Sequence, residues 1–458
     1  MSGVLTSYIA GRRVGWFTQT RSGVSLLLDD DWRARARRME LSVSMPKSRR
    51  EHIGSSPINF LWNLLPDNEA VLRRWGTQFS VNPRNPMALL AHVGLDTAGA
   101  IQLSADHDEP TLSGPAGATP ISSEELAAHI RELRVNPEAW FLAGHVAGYF
   151  SLAGAQAKFA LTQDGTGWAV PTGRAASTHI FKPGIHGLSH SDLNEHLTLT
   201  AAATLDIDVA RSSIERFEDE TVIVVQRYDR SPGDAGAERL HQEDFAQAVG
   251  IHPTGKYQNE GGPGIVRIAK VIRETRGREA DTSLRRMFEA TLFNWAILGT
   301  DAHAKNYSLL HDDKVGPSLA PLYDLATALP YPDLNNRRTK LAMSFGGHYR
   351  QFEIEPRHIF TEARESGLDP EWAADRARKI VDGVAQAYSQ AASDAELSGA
   401  DADFASRIID EAHLRALHLR RQLDATPPAT QQNTRSRPTQ PRNRSGGKPG
   451  AFTGRKPS

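Results

Sequence analysis

Between residues 299 and 307 the chain reads Gly299-Thr300-Asp301-Ala302-His303-Ala304-Lys305-Asn306-Tyr307, with a carboxylate, an imidazole, an ammonium and a carboxamide inside six residues. Polar groups this dense must be satisfied or used if they are buried. The run before them, Met287 to Leu298, is apolar enough to be a buried helix that delivers the loop into a site. Phosphoryl transfer asks for these side chains at this spacing. A carboxylate orients the attacking hydroxyl and takes its proton, an amide oxygen a few residues on holds Mg²⁺, and a second carboxylate bridges the metal to the phosphates. Asp301 and Asn306 keep an Asp-x-x-x-x-Asn interval, and Asp324, in Pro321-Leu322-Tyr323-Asp324-Leu325, follows Asn306 by eighteen residues. The competing reading is a solvated turn at a helix C-terminus, and the placement of Asp324 argues against it.

Such a loop needs elements upstream that hold a nucleotide. His179-Ile180-Phe181-Lys182-Pro183 alternates as a strand, which puts Lys182 where a kinase's strand lysine reaches the phosphates. Thirteen residues later Glu195 lies near the start of an Ala- and Leu-rich helix and can pair with Lys182. Earlier, Ser151-Leu152-Ala153-Gly154-Ala155-Gln156-Ala157-Lys158 is small enough for backbone N–H groups to approach phosphate oxygens. It matches no dinucleotide or Walker pattern, and taken alone it reads as a plain β-turn. Thr221 to Gln226 is a buried strand leading into Arg227-Tyr228-Asp229-Arg230. That polar break suits a hinge offering backbone groups to adenine, or equally a Tyr-Asp turn.

Composition sets the bounds. A chain of 458 residues holds two or three cores, and 39% hydrophobic against 23% charged residues is a globular balance. A formal charge of −1 gives no global argument for nucleic-acid or membrane binding, and the absence of Cys excludes disulfides and thiolate metal sites. No signal peptide or membrane span is legible, so a cytoplasmic location is expected. Strand signals at Val4-Leu5, Val14–Phe17 and Val24–Leu28 predict a small antiparallel sheet, followed by a helix from Asn68 to Trp75. Residues 105 to 121 read as an inter-subdomain loop, and Ser122-Ser123-Glu124-Glu125 as a capping box. His241 onward reads as a helix, Gly261-Gly262-Pro263-Gly264 as a sharp loop, and Pro370–Ala392 and Asp401–Leu423 as helices, so the second half is expected to be mainly helical. Arg33 to Arg38 form a basic cluster, read first as a solvated edge. From Thr426 to Ser458, six prolines, seven Lys or Arg and no acid predict a disordered basic tail.

The order of these pieces resembles the HipA family of serine/threonine kinase toxins. The pieces that carry the resemblance are Ser151–Lys158, His179-Ile-Phe-Lys182-Pro, Gln226-Arg-Tyr-Asp-Arg230, His241-Gln-Glu-Asp-Phe245, Tyr257-Gln-Asn-Glu-Gly-Gly-Pro-Gly264, Thr300-Asp-Ala-His-Ala-Lys-Asn306 and Pro321-Leu-Tyr-Asp324. The resemblance implies an α+β, bilobal protein-kinase-like fold. Residues 1–110 would be a β-rich N-terminal subdomain, 122–230 the rest of the N-lobe, 231–425 a helical C-lobe and 426–458 a tail. It implies ATP and Mg²⁺, with Asp301 as catalytic base and Asn306 and Asp324 holding the metal. Lys182 would bind phosphate under a loop of Ala153, Gly154, Ala155, Gln156, Ala157 and Lys158. Gln226, Arg227 and Tyr228 would meet adenine, and His303, Tyr323, Asp324, Leu325 and Ala326 would also line the nucleotide. Ser151 stands where the family is autophosphorylated, which disables ATP binding. Implied partners are a helix-turn-helix antitoxin, DNA through that antitoxin, and a protein substrate such as an aminoacyl-tRNA synthetase, with no membrane. Two competing functions share the sequence features: a small-molecule kinase of the same fold, and a non-catalytic corepressor that uses the basic tail.

Overall fold

A computed structural model describes residues 3–21, 23–35, 39–105, 116–142, 149–165, 167–233, 236–275 and 277–428. Arg37 and Arg38 of the basic cluster, and the tail beyond residue 428, lie outside the described residues. Among the described residues no helix is long and apolar enough to cross a membrane.

The N-terminal strands pair as a five-stranded antiparallel sheet. Ala10 and Gly11, at φ of 50° and 69°, make the two-residue turn between Val4–Ile9 and Arg12–Thr20, a conformation that suits hairpin twist. Gly23–Leu28 alternates half-buried and buried residues, its buried face meeting helix Ser55–Asn63, while helix Pro86–Val93 packs on Val4–Ile9 and Ile101–Ser104 of the same sheet. Asn68 caps helix Glu69–Gln78 by accepting from the Ala70 N–H, so the expected cap is in place and the helix runs slightly further.

A second, six-stranded antiparallel sheet carries the candidate nucleotide residues, in the order Ser212–Phe217, Glu220–Gln226, His179–Lys182, Phe159–Asp164, Gly167–Gly173, Ala116–Pro120. Glu220–Gln226 explains its own unbroken apolar run. Val222 and Val224 enter the core shared with the N-terminal sheet, whereas Ile223 and Val225 enter the core of the helical lobe. A strand buried on both faces has no polar side to show.

The helical lobe packs Ala280–Ala296 against Ile265–Glu274 and Pro370–Asp394, with Phe288, Phe293 and Trp295 fully buried. Gly399–Ala425 lies along Pro370–Asp394.

Two expectations are corrected. Residues 116–120 are an edge strand paired with Gly167–Gly173 rather than loop, while 106–115 fall outside the described residues. His241–Asp244 is a strand paired with Ser308–Asp312, not the first turn of a helix. The capping box gives the reason. The Asp244 carboxylate accepts from Gln247 N–H at 2.8 Å and Gln247 returns to the Asp244 N–H at 3.0 Å, so helix begins only at Phe245. Ahead of that cap, His241 and Glu243 point into a buried polar network with Leu41 and His311.

Candidate active site

Past the end of helix Ala280–Ala296 and its cap Ile297, Leu298 takes a left-handed φ of 56°, and Gly299 follows with its N–H on the Asn294 carbonyl at 2.7 Å. A Cβ on Gly299 would stand 2.1 Å from Asn294 Oδ1, so only glycine lets the chain turn this tightly off the helix. The loop then closes on itself. His303 N–H donates to the Asp301 carbonyl at 2.8 Å, and Asn306 Nδ2 donates to the same oxygen at 2.8 Å, which leaves the Asn306 amide oxygen as the group available to a ligand. Asp301 opens into a cavity of about 640 Å³ between the two lobes.

The walls of that cavity tune its groups. Enclosure raises the Asp301 carboxyl above its ordinary value, and the Tyr257 hydroxyl, which donates to Asp301 Oδ1 at 2.5 Å, pulls part of the way back. His303 is buried, meets Tyr257 edge to face at 4.9 Å between centroids, and is lowered to about 4 by burial and Lys256, so it is a neutral imidazole at pH 7. Lys182 Nζ stands 2.7 Å from Glu195 Oε1 and 2.9 Å from Asp324 Oδ1. For Lys182, burial disfavours the charge, but Asp324 and Glu195 outweigh it and hold the ammonium firmly protonated. For Asp324, burial is likewise overcome by Lys182 and Lys158, so it is ionised far below the usual range. Lys158 is buried close enough to Lys182 to feel its charge, and burial followed by that repulsion lowers it to about 8. Its ammonium donates to the Ala153 carbonyl at 2.7 Å and braces the loop, where Gly154 takes a φ of 105°.

With one exception, every residue expected to meet the nucleotide lines this cavity. Leu325 does not, because its side chain belongs to the core of the helical lobe. Arg227 lines the cavity, but its side chain is turned into the protein. Its guanidinium, 1% exposed, binds Asp229 at 2.8 and 3.0 Å, the Thr97 carbonyl at 2.7 Å and Ser177 at 2.9 Å. At the hinge the Gln226 and Arg227 N–H groups bind the Arg211 and Thr178 carbonyls, and among the described residues the Tyr228 N–H has no protein acceptor. Ser151, two residues ahead of Ala153, is wholly buried, its hydroxyl donating to the Leu64 carbonyl at 2.7 Å.

No three His, Asp or Glu side chains converge on a metal position among the described residues. The donors present are the Asp324 carboxylate and the Asn306 amide oxygen. Few protein oxygens, completed by water and phosphate, is how Mg²⁺ is held, so the donor chemistry fits that ion.

Sequence reasoning missed a group that comes from the N-terminal sheet region. The Asp67 carboxylate lies 2.8 Å from Lys256 Nζ and 3.0 Å from Lys305 Nζ, and its backbone N–H donates to the Gly154 carbonyl at 3.0 Å. Burial alone would raise Asp67, but Lys305 and Lys256 bring it down to about 2. Nothing local in the sequence marks these contacts, which join Asp67 to residues far along the chain, Lys256 alone lying 189 positions away.

A β-sheet lobe and a helical lobe closed on a cavity holding a paired lysine, two aspartates and an asparagine have the architecture of a protein kinase. Comparison with known proteins agrees. Residues 150–392 match the HipA-like C-terminal domain and residues 5–104 the HipA N-terminal domain. The chain is 35% identical to the Sinorhizobium fredii protein Y4mE over 85% of its own length and 92% of that protein's. It is 32% identical to the serine/threonine-protein kinase toxin HipA of Shewanella oneidensis over 68% of this chain and 70% of the relative. The solved Shewanella oneidensis complex of HipA, HipB and operator DNA superposes with a TM-score of 0.79 at 25% identity, covering 92% of this chain and 98% of that one. The chain belongs to the HipA family and is a protein kinase, and kinases of this family use ATP.

Proposed function

We propose that the chain transfers the γ-phosphoryl group of ATP to a serine or threonine hydroxyl of a protein, as the toxin of a toxin–antitoxin pair. The observation that carries the reading is the Lys182 ammonium paired with Glu195 at 2.7 Å and Asp324 at 2.9 Å in the same cavity as Asp301 and Asn306. Lys182 and Lys158 offset phosphate charge beneath the loop of residues 153–158. Adenine lies against the hinge, with the free Tyr228 N–H as its backbone donor. Asp301 orients the acceptor hydroxyl and takes its proton, and the rise in its pKa makes it a stronger base at neutral pH. Asn306 and Asp324 would hold Mg²⁺, whose charge offsets that on the β- and γ-phosphates.

Ser151 is the proposed autophosphorylation site. A hydroxyl sealed under Leu64 cannot meet another kinase molecule unless its segment first leaves, and a phosphate could not be taken back into that position. A helix-turn-helix antitoxin is the proposed partner, with DNA contacted through it in the cytoplasm. What supports this is the complex of the Shewanella relative with HipB and operator DNA. The proposed acceptor is a protein of translation such as an aminoacyl-tRNA synthetase. Incubation with γ-labelled ATP tests the core of the reading: label should appear on protein with the parent chain and be absent with Asp301→Asn. Equal labelling by both would remove Asp301 from the base's role.

A further inference from the structure

Lys305 and Lys256 are both cations of the cavity wall, but they are held differently. Lys305 is 2% exposed and is fixed on three sides, by Asn63 Oδ1 at 3.1 Å, Asp67 Oδ1 at 3.0 Å and, more distantly, Asp244 Oδ2 at 3.9 Å. Lys256 is 15% exposed, and its one carboxylate partner among the described residues is Asp67 Oδ2 at 2.8 Å. The Lys256 carbonyl accepts from the Ala304 N–H at 3.2 Å, so its backbone is tied to the loop that carries Asp301, and the next residue, Tyr257, binds the Asp301 carboxylate. The field of Lys256 is felt at Asp301, whose carboxyl it draws down. Lys182, the other strongly held cation, is already bound between Glu195 and Asp324. Lys158 is braced on the Ala153 carbonyl at 2.7 Å under the loop of residues 153–158, so it and Lys182 stand on the nucleotide side of the cavity, and the lysine tied to the loop that carries Asp301 is Lys256.

We propose that Asp67 is a positioning residue for phosphoryl transfer: anchored on the buried Lys305, it aims the Lys256 ammonium at the point beside Asp301 where the γ-phosphoryl group passes to the acceptor. The N-terminal domain thereby completes the active site, since Asp67 lies in the turn between its helices Ser55–Asn63 and Glu69–Gln78. The same residue ties that turn to the phosphate loop through Gly154. A long lysine side chain without its carboxylate regains its rotamers and points its charge elsewhere, and loss of such alignment lowers rate more than ground-state affinity.

The proposal rests on the kinase reading above, and the experiment separates the two. In the full-length protein, γ-phosphate release from ATP and label retained on the chain are measured for the parent, Asp301→Asn, Asp67→Asn, Asp67→Glu and Lys256→Met, with ATP affinity by calorimetry and melting temperature for each. A parent that transfers and an Asp301→Asn that does not establish the reaction independently of Asp67. Asp67→Asn keeps the backbone bond to Gly154, so its ATP affinity should stay within about two-fold while transfer falls on the order of 10- to 100-fold. Asp67→Glu should recover part of the loss. Adding Asp67→Asn to Lys256→Met should cost little more, because the two act as one unit. Parental transfer by Asp67→Asn would overturn the proposal, as would a fall in rate, affinity and melting temperature together with no rescue by glutamate. Full additivity with Lys256→Met would overturn it too.

Discussion

Two of the buried charge clusters among the described residues are built to opposite ends. Behind the hinge, Asp96, Arg227, Asp229 and Arg230 have side chains between 1% and 7% exposed. Arg230 binds Asp96 at 2.9 Å and the Gly99 carbonyl at 3.0 Å, and the second Asp96 oxygen accepts from the Ser177 N–H at 3.0 Å. In the cleft, Lys182 and Glu195 are equally buried but Asp324 leaves 38% of its side chain open. Asp301 faces the same space. The first cluster has saturated its hydrogen bonds and admits nothing, so its role is to fasten the N-terminal domain to the hinge. The second keeps oxygen and nitrogen atoms facing a cavity. Strongly shifted pKa values occur in both, so a shift alone does not mark a catalytic group; access does.

The same kind of change should therefore have opposite consequences in the two clusters. Asp301→Asn should lower transfer on the order of 10³- to 10⁴-fold with a melting temperature near the parent's. Lys182→Met should lower it on the order of 10²- to 10³-fold without unfolding, because Glu195, whose carboxyl burial already raises, takes up a proton when the lysine's ammonium is removed. Arg230→Met leaves Asp96 buried without its nearest cation and should destabilise the fold by about 3–5 kcal/mol, read by urea titration, while the molecules that remain folded still transfer phosphate. The contrast collapses if Lys182→Met unfolds the protein and Arg230→Met leaves its stability untouched. Acid should act on the closed cluster as well. Burial would raise Asp229, yet Arg227 and Arg230 hold it at about 2 against an ordinary 3.8. Its contribution to stability is thus present above pH 4 and is lost as pH falls through about 2.

How much of this was legible follows from the range of each contact. Asp301, Asn306 and Asp324 lie within one short stretch, and the structure brings all three to one cavity, so their grouping could be read directly. Thr221–Gln226 was legible because burial on both faces leaves an unbroken apolar run. The strand His241–Asp244 was not, because its polar side chains are satisfied by Leu41 and by His311 on the strand it pairs with, and neither partner is local. Arg227 illustrates the same limit. Its place in the hinge could be inferred, but the direction of its guanidinium depends on Thr97 and Asp229 in three dimensions. Asp67 was invisible for that reason also: a Pro66-Asp67-Asn68 turn carries no sign of two lysines from the other lobe.

A smaller effect tests whether the open cluster is tuned as described. Tyr257→Phe removes a hydrogen bond to the charged form of Asp301, so the carboxyl should rise further. The acid limb of the rate profile should move to higher pH by roughly half to one unit, with the rate on its plateau only modestly changed. A profile that keeps its acid limb would mean that the hydroxyl is a spectator.

The smallest effect concerns Lys158. Burial and Lys182 lower it, Asp324, Asp67 and Glu195 raise it, and the balance is about 8. In the free protein the ammonium is therefore present below pH 8 and lost above it, and ATP meets one cation fewer. Affinity should fall as pH climbs from 8 to 9, by at most about ten-fold per unit, because one proton per site is then taken up with the nucleotide. Calorimetry in buffers of different ionisation enthalpy should show that uptake. Lys158→Met should bind ATP more weakly at pH 7 and lose the slope, whereas Lys182 stays protonated throughout and cannot be its source. If Lys158→Met keeps the parental slope, another group titrates, and the phosphate loop is then held by its backbone rather than by the charge of its lysine.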